Sequence, residues 1–231
     1  MYWDKHFEKG SDWYEKFFDN ERQDQLRGEI APTLFPSEAA RSRIRENVGE
    51  VRIIILLRDP VERSISHYRH ERALGLQRGS LEQAVKADPR ILEASRYSKY
   101  IPRWIADFGE EHVFLIQQSA IAEEPEQVLV DICNFLGINP EFRFQDIASR
   151  SSQGARARSP LLTRLFYQAA SRLRSLHCHW LVNLGNKLGL RQVLYSKQKE
   201  VVTDADRAFL EQELKAEIGN WKAETDEKRK D

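Results

Sequence analysis

Two short apolar runs stand out along the chain. Residues 52–57 read Arg-Ile-Ile-Ile-Leu-Leu and residues 112–116 read His-Val-Phe-Leu-Ile, without polar alternation. That pattern suits strands covered on both faces, as in a parallel sheet. Elsewhere the apolar period lengthens to three and four. A helix is predicted from Pro60. Asp59 is its N-cap, Pro60 takes the first helical position, where a missing N–H costs nothing, and Gly75 is its stop. A second helix is predicted over residues 93–108, ended by Gly109. A third opens at Pro125, sets Val128, Leu129, Ile132, Phe135 and Leu136 at helical spacing, and stops at Gly137. Strand, helix, strand, helix in this order predicts an α/β domain with a parallel sheet. Residues 26–30 are a weaker strand candidate.

The last third reads as helical. Leu161, Leu165, Ala169, Leu173, Leu176, Trp180, Leu184 and Leu188 step by three or four. Such a stripe reads first as core; the alternative is a helix lying on an anionic membrane. Thr203, with Asp206 three residues on, opens a final helix with Phe209, Leu210, Leu214, Ile218 and Trp221 on one face. The charged tail, residues 222–231, is expected to fray. The whole chain, 1–231, is read as a single domain.

Composition narrows the class. Eleven Phe, seven Tyr and five Trp can fill a core. No apolar run approaches the roughly 20 residues that span a bilayer, and the N-terminus lacks the apolar segment of a signal peptide, so a cytoplasmic protein without an integral membrane segment is expected. Two cysteines, Cys133 and Cys178, exclude a disulfide framework and a cysteine-based zinc site. The 36 basic and 36 acidic residues cancel overall, but not locally. Residues 147–199 carry ten Arg and Lys and no Asp or Glu. That asymmetry reads either as packing against an acidic surface of the same chain, or as an anion site or a polyanion- or lipid-facing surface.

The candidate chemistry lies just after the first apolar run. Residues 58–70 read Arg-Asp-Pro-Val-Glu-Arg-Ser-Ile-Ser-His-Tyr-Arg-His. Arg58 falls at the carboxyl end of a predicted buried strand, where α/β sheets place their ligands. On a helix from Pro60, Glu62, Arg63, Ser66 and His70 share a face, while Val61, Ile65 and Tyr68 fall on another. Arg58 offers a planar fork to phosphate oxygens and Ser66 a hydroxyl donor. The plain alternative is an ordinary strand–helix unit with an Arg–Asp surface pair.

At these residues the chain resembles the sulfotransferases, in the variant close to the heparan sulfate enzymes and their bacterial relatives. Arg-Asp-Pro-x-x-Arg-x-x-Ser-x-Tyr after an Ile/Leu strand resembles the family's 3′-phosphate-binding segment. Other pieces follow in the family's order. Residues 4–18 resemble its early Lys-Gly-x-x-Trp-Tyr-x-x-Phe-Phe stretch, and residues 28–33 its Gly-Glu-x-Thr-Pro segment. Arg96 and Tyr97, followed by Trp104 and Phe108, resemble a later aromatic pattern. Phe135, Leu136 and Gly137 resemble the Phe-Leu-Gly that closes the next helix, and Gly219, Asn220 and Trp221 the terminal Asp-x-x-Trp. The resemblance implies a P-loop-nucleotide-kinase-like three-layer fold. It also implies transfer of a sulfuryl group from 3′-phosphoadenosine 5′-phosphosulfate (PAPS), as co-substrate, to an acceptor hydroxyl or amine. Arg58 and Ser66 match the family's 3′-phosphate ligands. Arg158, or Arg156 beside it, falls where a basic loop closes over the same phosphate, and His70 matches a histidine near the acceptor; an exposed helix histidine is its plain alternative. Polysaccharide, lipid, small alcohol and amine all stay open as acceptor, and no nucleic-acid partner or metal is implied.

The chain departs from the family at its start. The 11 glycines are scattered, and no glycine-rich loop precedes a Lys-Ser/Thr to cradle a 5′-phosphosulfate. The family's first strand and phosphate loop are therefore expected to be absent, together with the Glu base that would precede Tyr2 and Trp3. Ile30 stands where a Lys is expected, and Ser95 or an equivalent replaces a glycine. Weak catalysis, or a catalytically inactive nucleotide- or polyanion-binding module, is the alternative expectation.

Overall fold

The computed structural model describes residues 2–19, 22, 25–141, 156–157, 159–176, 180–181, 183, 195–196 and 201–227. In chain order the main elements are α1 (Glu38–Asn47), β1 (Ile53–Leu57), α2 (Pro60–Ala73), α3 (Leu81–Ala87), α4 (Tyr97–Phe108), β2 (Val113–Gln117) and α5 (Pro125–Leu136). They continue with β3 (Arg156–Ala157), α6 (Pro160–Ser175), β4 (Tyr195–Ser196), α7 (Asp204–Glu213) and α8 (Lys215–Glu227). These elements form two compact units. One comprises Met1–Arg58 with Arg96–Arg150, the other Asp59–Ser95 with Ser151–Asp231.

The first unit contains the parallel sheet the apolar runs predict, with two strands among the described residues. β1 and β2 pair from Ile53↔Val113 to Leu57↔Gln117. Ile55 and Leu57 are buried, as are Val113 and Ile116. Ile54 and Leu56 face the other side and are exposed, so β1 is covered on one face only among the described residues, not on both. α5 packs on the sheet through Phe114 and Phe135, stacked at 5.2 Å. Its C-cap is Gly137 at φ +69°, a left-handed conformation that favours glycine. α4 carries Tyr97, Tyr100 and Trp104 inward, and Asp107 near its end binds Arg41 and Arg45 of α1 at 2.5 and 2.8 Å. The early aromatic stretch folds on itself: Tyr2 stacks on Tyr14, whose hydroxyl donates to Glu29, and Thr33 donates to Asp4. Residues 26–30 form no strand. Ile30 is fully open to solvent there, with no neighbouring strand to pair its backbone.

The second unit has a compact core. Val61, Ile65 and Tyr68 of α2 meet Leu81, Ala84 and Val85 of α3, the turn residues Ile91 and Leu92, and Leu210 and Leu214. Spacing of three and four puts these side chains on one face of each helix. α7 starts with the capping box that Thr203 and Asp206 predict, and α8 continues to Glu227. β3 pairs antiparallel with β4. No helix among the described residues is long and apolar enough to cross a membrane.

Candidate functional site

In the first unit, Arg58 follows the last residue of β1 and is half-buried. Its backbone is clamped from α4: the Tyr97 hydroxyl accepts from the Arg58 N–H at 3.2 Å and donates to the Arg58 carbonyl at 2.9 Å. Tyr97 is buried, so this clamp fixes the strand end from which the guanidinium departs. In the sequence Tyr97 stands only within an aromatic pattern and carries no task of its own. Its signal was a tyrosine among helix-facing aromatics, and its target lies 39 residues away. Gln117 ends β2 at the same edge, in register with Leu57. Its Nε2 is buried and finds no hydrogen-bond partner among the described residues. A buried donor without an acceptor costs about 1–3 kcal/mol. The carboxyl edge of a parallel sheet is where α/β folds bind ligands. An orphan amide donor beside an arginine fits an anionic nucleotide at that edge. A cavity of about 150 Å³ lined by Arg45, Glu50, Asp107 and His112 lies instead by the amino ends of the strands.

In the second unit, the Asp59 carboxylate accepts from the Glu62 N–H at 2.9 Å and caps α2, with Pro60 next. The face predicted to hold Glu62, Arg63, Ser66 and His70 is divided. Glu62 is bound by Arg207 of α7 at 2.6 Å. Arg63 turns inward: its Nη1 donates to the Ile91 carbonyl at 2.9 Å, and its Nη2 lies 3.1 Å from Nδ1 of His67. Beside it the Ser64 and Ser95 hydroxyls bond at 2.8 Å. Burial, then the Arg63 charge, pushes the His67 pKa down to about 4. A neutral His67 with a lone pair on Nδ1 is what Arg63 requires of its partner. Arg63 and His67 therefore anchor α2 to the turn at residues 88–95.

Ser66 and His70 lie one turn apart on the exposed side of α2. Desolvation by the surrounding protein lowers the His70 pKa although part of its side chain is open, so its ring is neutral at pH 7. β3 packs against α2, which brings the Arg156 backbone to the helix that carries Ser66 and His70. Arg158, Leu184 and Leu188 lie outside the described residues. Among the described residues no group of His, Cys, Asp and Glu could hold a metal ion.

Comparison with known proteins gives this geometry a context. The sulfotransferase domain family matches residues 10–164, more than half of the chain. The Xenopus laevis bifunctional heparan sulfate N-deacetylase/N-sulfotransferase 1 is 27% identical over 150 residues, covering 58% of this chain and 17% of that protein. The mouse heparan sulfate glucosamine 3-O-sulfotransferase 5 is 23% identical over 166 residues, 65% of this chain and 47% of that protein. The chain thus spans less than half the length of these relatives. The crystal structure of a sulfotransferase from Alicyclobacillus acidocaldarius superposes with a TM-score of 0.52 at 26% identity, covering 73% of this chain and 71% of that one.

Proposed function

Because the chain belongs to the sulfotransferase domain family, we propose that it moves a sulfuryl group from PAPS to an acceptor hydroxyl or amine. The observation that carries this reading is the carboxyl edge of β1 and β2, where the clamped Arg58 and the orphan donor of Gln117 offer charge and hydrogen bonds to an anion. We further propose one transferase domain of the three-layer, P-loop-nucleotide-kinase-like kind.

When bound, the donor supplies a sulfuryl group whose S–O bond to the 5′-phosphate breaks as the acceptor's bond to sulfur forms. The chain's residues position and neutralise. Arg58 gives a two-pronged charged contact and Ser66 a hydroxyl to the 3′-phosphate. Arg156 and Arg158 add positive charge over the same group. The support for these roles is motif order and spacing, together with the seating of β3 on α2. His70, neutral at pH 7, takes the acceptor's proton on a ring nitrogen. The acceptor is proposed to be a carbohydrate, by analogy with relatives whose names specify heparan sulfate.

The test is incubation of the 231-residue chain with PAPS labelled in the sulfuryl group and N-desulfated heparan oligosaccharides. Labelled oligosaccharide and adenosine 3′,5′-bisphosphate should form together, and His70→Ala should slow both roughly a hundredfold or more. Nucleotide binding without turnover would assign a binding module instead.

A further inference from the structure

α6 is turned apolar side out. Its inward positions are Thr163, Tyr167, Ala170 and the half-buried Leu173, at i, i+4, i+7 and i+10. Thr163 is 1% exposed, and its hydroxyl has no hydrogen-bond partner among the described residues. Leu161, Leu162, Leu165 and Phe166 are 63%, 52%, 61% and 43% exposed. The stripe continues at Leu176 and Trp180, also exposed. A helix that buries a threonine and shows four large apolar side chains to water is not oriented by burial within its own chain.

The charges say what meets this face. α6 carries Arg164, Arg172 and Arg174 and no acid. Arg172 falls seven residues after Leu165, on the same side two turns on. The helix sits inside the acid-free residues 147–199, with their ten basic side chains. A second copy docking by this face would set arginine against arginine with no carboxylate to offset them. A nucleic acid or polysaccharide would bury leucine and phenylalanine against a hydrated backbone. A surface with hydrocarbon below and negative headgroups above satisfies both sets of side chains. We propose that α6 docks the protein on an anionic lipid surface. Its leucines and Phe166 enter the acyl boundary while the arginines reach the headgroups.

The test is flotation of the full chain with phosphatidylcholine vesicles, with and without phosphatidylserine. The chain should float with the phosphatidylserine vesicles only, and less as salt rises. Leu161→Glu with Leu165→Glu should weaken binding by roughly tenfold or more. Arg172→Gln should weaken it several-fold. Thr163→Val faces inward, keeps the outer face intact and should leave vesicle binding unchanged. Circular dichroism and calorimetric nucleotide binding establish that each variant is folded. The proposal is overturned by a folded chain that ignores anionic vesicles, by equal binding to neutral ones, or by a leucine double variant that binds undiminished. It is also overturned by self-association without vesicles that the same double variant abolishes, which would give the face to a second copy.

Discussion

At the scale of single residues, two arginines five positions apart in one motif separate into different kinds of work. Arg58 leaves a clamped strand end, whereas Arg63 is absorbed by Ile91, Ser95 and His67. The His67 ring makes this network sensitive to pH. Its pKa is about 4 when folded and about 6.5 when unfolded. Above pH 6.5 both states are neutral and the stability is fully present. As pH falls toward 4, the unfolded chain takes up a proton that the folded one refuses, and stability is lost, on the order of 2–3 kcal/mol. Urea unfolding at pH 7 and pH 5 should show this drop, and His67→Gln should remove most of it. An unchanged slope in the variant would contradict the anchoring role. The sequence could not announce it: His67 lies one helical turn from Arg63, but the anchoring partners Ile91 and Ser95 lie 28 and 32 residues away and are met only through the fold.

At the scale of elements, the sequence is legible where the physics is local. The Asp59 cap, Pro60 at the first helical position, Gly137 in a left-handed conformation and the Thr203–Asp206 box each depend on neighbours within four residues. The cap can be measured: Asp59→Ala should cost about 1 kcal/mol in denaturant unfolding. It should also loosen the first turn of α2, which precedes Ser66; an unchanged midpoint would place the stability of this turn elsewhere. Non-local features were less legible. Residues 26–30 have strand-like composition but no partner edge. The stripe through α6 was visible as a period, yet periodicity marks a face without saying what covers it. The structure turns Leu161, Leu165, Leu176 and Trp180 outward and leaves Leu173 half-buried.

At the scale of the molecule, the two parallel strands and their helices agree with the sulfotransferase domain, and their carboxyl edge holds Arg58 and Gln117. The central claim of the proposed function is that Arg58 at this edge recognises a 3′-phosphate. Calorimetric titration with adenosine 3′,5′-bisphosphate and with 5′-AMP, for the parent chain and Arg58→Ala, tests it most directly. A charged hydrogen bond contributes ~1.5–3 kcal/mol, so the parent should bind the bisphosphate roughly ten- to a hundredfold more tightly than 5′-AMP. Arg58→Ala should erase most of that preference while leaving 5′-AMP binding unchanged. Equal affinity for the two nucleotides, or a preference that survives the loss of Arg58, would contradict the account.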